Sequence, residues 1–320
     1  MKLQKRIVVA GVLNRCYQRT IEGKLIFYSV SDYLVFFTIL CIVARRFRIK
    51  VLSVSLMPDH IHLSVLAETS DDLSGFIGLC TRWFSREHNS ICHCPGPLFE
   101  SPFGSAPKYG DKKVRTNLIY VGNNGPERKL CKKAEDYRWG FLAYAVSRHP
   151  FSEPLVLRRA SYRLRMSVKE VQSSFRQCRP LSYHLLQRLF KKLGKKEKEQ
   201  LTDYIISTYN VIDYKEAIRY FGSYEKMLIA MHSTTGNEFD IQEHFTGRSD
   251  ACYAKISTIL MRELHLSDIH DVLALSEDER SRIAKHLYGR TEATSRQLAA
   301  YLRLPVGEDK MRDQNLVDCQ

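Results

Sequence analysis

A chain of 320 residues, 44% of them apolar, is long and apolar enough for one large or two ordinary domains with real cores, which excludes a disordered polymer. Its nine cysteines, an odd number in a chain too large to need staples, are expected as reduced thiols rather than a disulfide framework. The formal charge of +14 is uneven: residues 1–150 carry 22 Lys/Arg against 12 Asp/Glu, residues 158–198 carry 13 against 2, and residues 199–320 carry 14 against 20. Such a positive front and middle recruit a polyanion, nucleic acid ahead of an acidic membrane surface.

Residues 7–13 (IVVAGVL) predict a first strand, and Ser31-Asp32 caps a predicted helix over 33–47. The apolar run inside it, LVFFTILCIVA, is far below the roughly 20 residues of a membrane span and reads as a buried helix. With no cleavage pattern after the basic N-terminal residues, a cytoplasmic protein without membrane contact is expected. Residues 51–66 predict a hairpin turning at Pro58-Asp59, and Thr69-Ser70-Asp71-Asp72 predicts the cap of a helix through Phe76, Leu79, Trp83 and Phe84. Cys92-His93-Cys94 has no second Cys/His pair at a zinc-finger interval, so these read as ordinary thiols in a loop. A Gly/Pro-rich loop over 95–110 follows, with Leu98-Phe99 as a further strand, before an apolar pattern resumes over 114–120. The resulting β-α-β-β-α-β order plus a helix is the split βαβ, or ferredoxin-like, arrangement of the α+β class, an antiparallel sheet with helices on one face.

Residues 134–144, with Trp139, Phe141, Leu142 and Tyr144, are expected to close this first domain. The breakers His149-Pro150 and Ser152-Glu153-Pro154 place a boundary near residue 150, giving domains 1–150 and 151–320, the second all-α by its periodicity. Residues 278–305 have the size, pattern and basic charge of a helix-turn-helix, an ordinary helical hairpin being the other reading.

Chemistry concentrates in Met57-Pro58-Asp59-His60-Ile61-His62-Leu63. On a strand, His60 and His62 at i and i+2 share one face, so two imidazoles converge. On a helix, Tyr120 and Asn124 at i and i+4 point together. A helix packed across the sheet would then set two imidazoles and an amide carbonyl around a divalent ion with open positions. Asp59 either orients an imidazole or is simply a turn residue after Pro58.

The Met-Pro-Asp-His-Ile-His stretch, followed some 60 residues later by Tyr-x-x-x-Asn, resembles the single-tyrosine HUH transposases, most closely their REP-associated tyrosine transposase branch, over roughly residues 5–147. The family pattern has Asn-Pro directly and commonly a His two residues after the tyrosine; this chain has Asn124-Gly125-Pro126 and Gly122. The resemblance implies a metal-dependent enzyme that nicks and joins single-stranded or hairpin DNA. Tyr120 would be its nucleophile, forming a 5′-phosphotyrosine, with His60, His62 and Asn124 holding Mg2+ or Mn2+. A homodimer is among the assemblies it allows. Lys112, Lys113, Arg115, Arg128, Lys129, Lys132 and Lys133 flank the tyrosine segment and suit a phosphate-lined groove, with Trp83, Phe84 or Trp139 either stacking bases or filling the core. Tyr109 is the reserve nucleophile. The alternative from another class is a catalytically inactive DNA-binding regulator on the same fold. A cyclic-phosphodiesterase-like hydrolase would need two His-x-Ser/Thr motifs, and no matched pair is present.

Overall fold

A computed structural model of the chain describes residues 8–233 and 249–305. The chain divides into two compact units, Met1–Ala251 and Cys252–Gln320. The first opens with β1 (Leu13–Arg19), α1 (Val30–Ala44), β2 (Ile49–Met57), β3 (His60–Ala67), α2 (Ser70–Cys92), β4 (Gly104–Lys108) and α3 (Gly110–Glu127). Its four strands form an antiparallel sheet in the order β2-β3-β1-β4, the order of a split βαβ. The α+β, ferredoxin-like class expected from the sequence is therefore the class observed.

Two strands sit elsewhere than their composition suggests. β1 begins where the apolar run 7–13 ends, and residue 7 lies outside the described residues. This strand is central, and two of its polar residues donate to backbone carbonyls: Asn14 to Val12 O at 3.0 Å and Gln18 to Glu100 O at 2.6 Å. The fourth strand is Gly104–Lys108 rather than Leu98-Phe99, of which Phe99 makes only an isolated bridge to Thr20. As an edge strand it tolerates Pro107. In β2 the apolar residues fall out of period two, Val51 and then Val54. A bulge between Val51 and Ser53 restores the phase, so Val51, Val54 and Leu56 pair with Val65, Leu63 and Ile61.

The sheet thus has one apolar face, built from those pairs, toward α1 and α2. Its other face is polar: Met57, His60 and Arg19 stand in one row, Ser55, His62 and Tyr17 in the next, then Ser53, Ser64 and Arg15. Helix α3 lies over this polar face, contacting β2, β3 and β4. The cap of α1 is Ser29 rather than Ser31; Asp32, at the third helical position, closes a capping box by accepting from Ser29 N at 2.7 Å.

The boundary expected near residue 150 falls inside the first unit. Residues beyond it form α4 (Tyr162–Arg176), α5 (Tyr183–Phe190), α6 (Lys195–Tyr209), α7 (Tyr214–Arg219) and α8 (Tyr224–His232). A helix as apolar as α1 needs cover on every side, and α5 and α6 supply the outer half of it. Tyr183 Oη donates to the buried Asp32 carboxylate at 2.5 Å, and Leu181 N donates to Thr38 Oγ1 at 3.0 Å. Residues 134–144 cap the sheet as short 3₁₀ turns, with Tyr137 Oη donating to Leu56 O at 2.6 Å.

The second unit contains α9 (Cys252–Glu263), α10 (Glu277–Leu287) and α11 (Ser295–Leu302). Capping boxes open both α10, at Ser276 and Glu279, and α11, at Thr294 and Gln297. The α10–α11 pair occupies the span of the expected helix-turn-helix. Within it Arg280 is structural, its guanidinium donating to Leu302 O and Arg303 O at 2.6 and 2.9 Å, where it caps the end of α11. No described helix is long and apolar enough to cross a membrane.

Candidate active site

The turn that launches β3 is held from outside. Thr20 Oγ1 donates to Asp59 O at 2.8 Å, and the amides of Ile26 and Phe27 donate to Pro58 O at 3.0 and 3.2 Å. His60 Nδ1 lies 2.6 Å from Asp59 Oδ1. An ionised carboxylate only accepts, so in the neutral imidazole Nδ1 carries the proton and Nε2 the lone pair. Burial by itself would raise the Asp59 carboxyl, but the adjacent His60 and then Arg128 outweigh it and hold it below the usual carboxylate value.

His62 is fully buried. Its ring meets that of His60 edge-on at 4.8 Å between centroids and that of Tyr120 edge-on at 5.4 Å. Tyr120 reaches this point because α3 is pinned one turn earlier: Asn117 Nδ2 donates to Ser64 Oγ at 2.7 Å, and Ser53 Oγ lies 2.6 Å from the same oxygen. One turn beyond Tyr120, the buried Asn124 donates its amide nitrogen to Tyr120 O at 3.0 Å. With that nitrogen committed to its own helix, Oδ1 is the atom the side chain can offer a cation. Two imidazoles, one with its tautomer set by a carboxylate, and an amide oxygen fit a divalent ion chemically.

The departures at 122 and 125 have packing causes. A Cβ on Gly122 would stand 2.8 Å from Met231 Sδ, so that position faces α8. A Cβ on Gly125 would stand 2.7 Å from Cγ of Tyr137.

The seven basic residues do not form one patch. Lys112 and Lys113 are exposed on the first turn of α3, while Lys129, Lys132 and Lys133 are exposed beyond its far end, about 24 Å along the helix axis. Arg115 donates to Tyr220 O at 3.3 Å, and Arg128 stands 3.7 Å from the Asp250 carboxylate. The candidate stacking aromatics are packing residues. Phe84 lies in the core against Phe27 and Phe36, Trp139 stacks on Tyr33 at 4.4 Å, and Trp83 carries Arg46 over its ring. Tyr109 is exposed at the cap of α3.

Sequence reasoning missed the contribution of β1. Arg15 is buried, with Cζ 4.4 Å from the Tyr120 ring centroid and 5.7 Å from that of Tyr17. Lys108, on β4, is half-buried. Burial first, then the charges of Arg15 and Lys113, hold its ammonium below the usual lysine value. The alternation Arg15, Tyr17, Arg19 is the signal that could have shown this face.

No protein-family model matches this chain, and no curated protein does. Among solved structures it is similar to a REP-associated tyrosine transposase bound to a REP hairpin, at 15% identity and a TM-score of 0.40, over 46% of this chain and 86% of that one.

Proposed function

We propose that this chain is a metal-dependent enzyme that nicks and joins single-stranded DNA through Tyr120. The observation that carries the proposal is the Tyr120 ring 5.4 Å from that of His62, with His60 beside it and Asn124 one turn further along α3. The Tyr120 oxygen attacks the scissile phosphorus in line. A bond forms between them and the bond to the 3′ oxygen breaks; the phenol gives up its proton and the 3′ oxygen takes one up, leaving as a hydroxyl, so the step is balanced. The 5′-phosphotyrosine conserves the bond energy, so attack by another 3′ hydroxyl reverses the step and joins strands. His60, His62 and Asn124 would hold Mg2+ or Mn2+, which supplies charge neutralisation at a non-bridging phosphate oxygen; imidazole donors favour manganese. Asp59 keeps His60 oriented. The basic ends of α3 attract the strand, and the α10–α11 pair adds a second DNA contact with helix-turn-helix spacing.

The test incubates the protein with a pool of single-stranded oligonucleotides and MnCl2 and looks for a covalent adduct in denaturing gels. An adduct that disappears in Tyr120→Phe is expected. Non-covalent binding without an adduct on any strand would remove the enzyme reading. It would leave the DNA-binding regulator, which the burial of Tyr120 and His62, 4% and 0% exposed, favours.

A further inference from the structure

Arg15 stands over Tyr120, and two further cations, Lys108 and Lys113, lie on the strand beside it and on the tyrosine's own helix. Arg15 projects from central strand β1, Lys108 from edge strand β4 on the same sheet face, and Lys113 from the first turn of α3, two turns before the tyrosine and on its stripe of the helix. Their exposure falls in order. Lys113 is exposed, Lys108 half-buried and Arg15 buried, with its guanidinium over the Tyr120 ring at 4.4 Å. Burial first, and then the charges of Arg15 and Lys113, hold the Lys108 ammonium below the usual lysine value. Graded from solvent inward, the three cations make a positive path that ends at the nucleophile. A guanidinium also suits that inner end, since its planar fork can stack on a ring while donating to two phosphate oxygens.

Resting on the nicking reading above, we propose that Arg15, Lys108 and Lys113 form a phosphodiester-binding subsite, in which Arg15 both holds the Tyr120 ring and receives a phosphate of the single strand next to it. Arg15 is then a positioning residue for the nucleophile, and Lys108 is a binding residue for the strand.

The experiment uses the full chain and a random-sequence single-stranded oligonucleotide pool. Binding is measured by anisotropy in the Tyr120→Phe background over a salt series, and adduct formation with Tyr120 present, at saturating DNA and MnCl2. Arg15→Gln is expected to slow adduct formation at saturation by about a hundredfold, far more than it weakens binding, with partial recovery in Arg15→Lys. Lys108→Gln is expected to lower the slope of log affinity against log salt by about 0.7, the loss of one single-strand phosphate contact. Should the thermal melt show Arg15→Gln unfolded, Arg15→Lys and Lys108→Gln decide: adduct formation slowed in the first and a reduced slope in the second support the subsite. Unchanged rate and slope overturn it. If wild type forms no adduct, the nicking reading fails, and the Lys108→Gln salt slope still decides whether the subsite binds the strand.

Discussion

Asp59 makes its consequence at the level of a single atom, because its hydrogen bond to His60 Nδ1 decides which nitrogen of that ring can bind a cation. Asp59→Asn preserves the shape of the turn and removes the charge. It is expected to weaken Mn2+ binding by about 10- to 100-fold in calorimetric titration, with the melting temperature little changed. Equal affinity would make Asp59 a turn residue and nothing more. The Ser64–Asn117 bond works the same way on the Tyr120 side of the candidate site. Asn117→Ala removes one of the two hydrogen bonds that the buried Ser64 Oγ accepts and leaves the one from Ser53, so a loss of about 0.5–1.5 kcal/mol in denaturant unfolding is expected. The shared strand face of His60 and His62 and the shared helix face of Tyr120 and Asn124 were legible beforehand because period two and period 3.6 put side chains on one face without knowledge of the fold. The place of Arg15 beside Tyr120 was not, since it depends on the helix that packs over β1.

Helix α3 shows how an element can be shaped by what packs on it. Its small residues at 122 and 125 let two different segments approach, and their neighbours differ in how easily they give way. The first atom a Cβ at 122 meets is the end of the flexible Met231 thioether, whereas at 125 it meets Cβ and Cγ of Tyr137, whose hydroxyl is bonded to Leu56 O. Replacing glycine by alanine inside a helix gains up to about 1 kcal/mol in propensity, and overpacking costs about 1–3 kcal/mol. Gly125→Ala is therefore expected to destabilise by about 1–2 kcal/mol and Gly122→Ala to be near neutral, a contrast that guanidinium unfolding of the two variants measures. The same dependence on neighbours explains which elements composition could reveal. α1, α2 and the β2–β3 hairpin carry their own apolar pattern and caps. β1 (LNRCYQR) and β4 (GSAPK) do not; β1 is a strand because β3 and β4 flank it and β4 because β1 and α3 hold it, and strand preference is largely such context.

At the scale of the molecule, breakers near residue 150 mark a change of style in the chain, not a division of its core. The stripe of α1 through Thr38, Cys41 and Arg45 meets residues far beyond that point: Thr38 accepts from Leu181 N, the Cys41 thiol is pushed up by burial and lies near Val211, and Arg45 stacks over Phe175 at 4.4 Å. Deleting the later helices would uncover this stripe and strand Asp32 without Tyr183. Each large apolar side chain returned to water costs about 1.5–3 kcal/mol, and a whole domain holds only about 5–15 kcal/mol in reserve. A half-dozen such exposures exhaust it. A fragment of residues 1–150 is therefore expected to bind ANS, to lack near-ultraviolet circular dichroism and to melt without cooperativity, while a fragment of residues 1–251 unfolds in one sharp transition. A cooperative, ANS-silent 1–150 fragment would show that the sheet and its first three helices hold α1 without the helices beyond, and would return the domain boundary to the breakers.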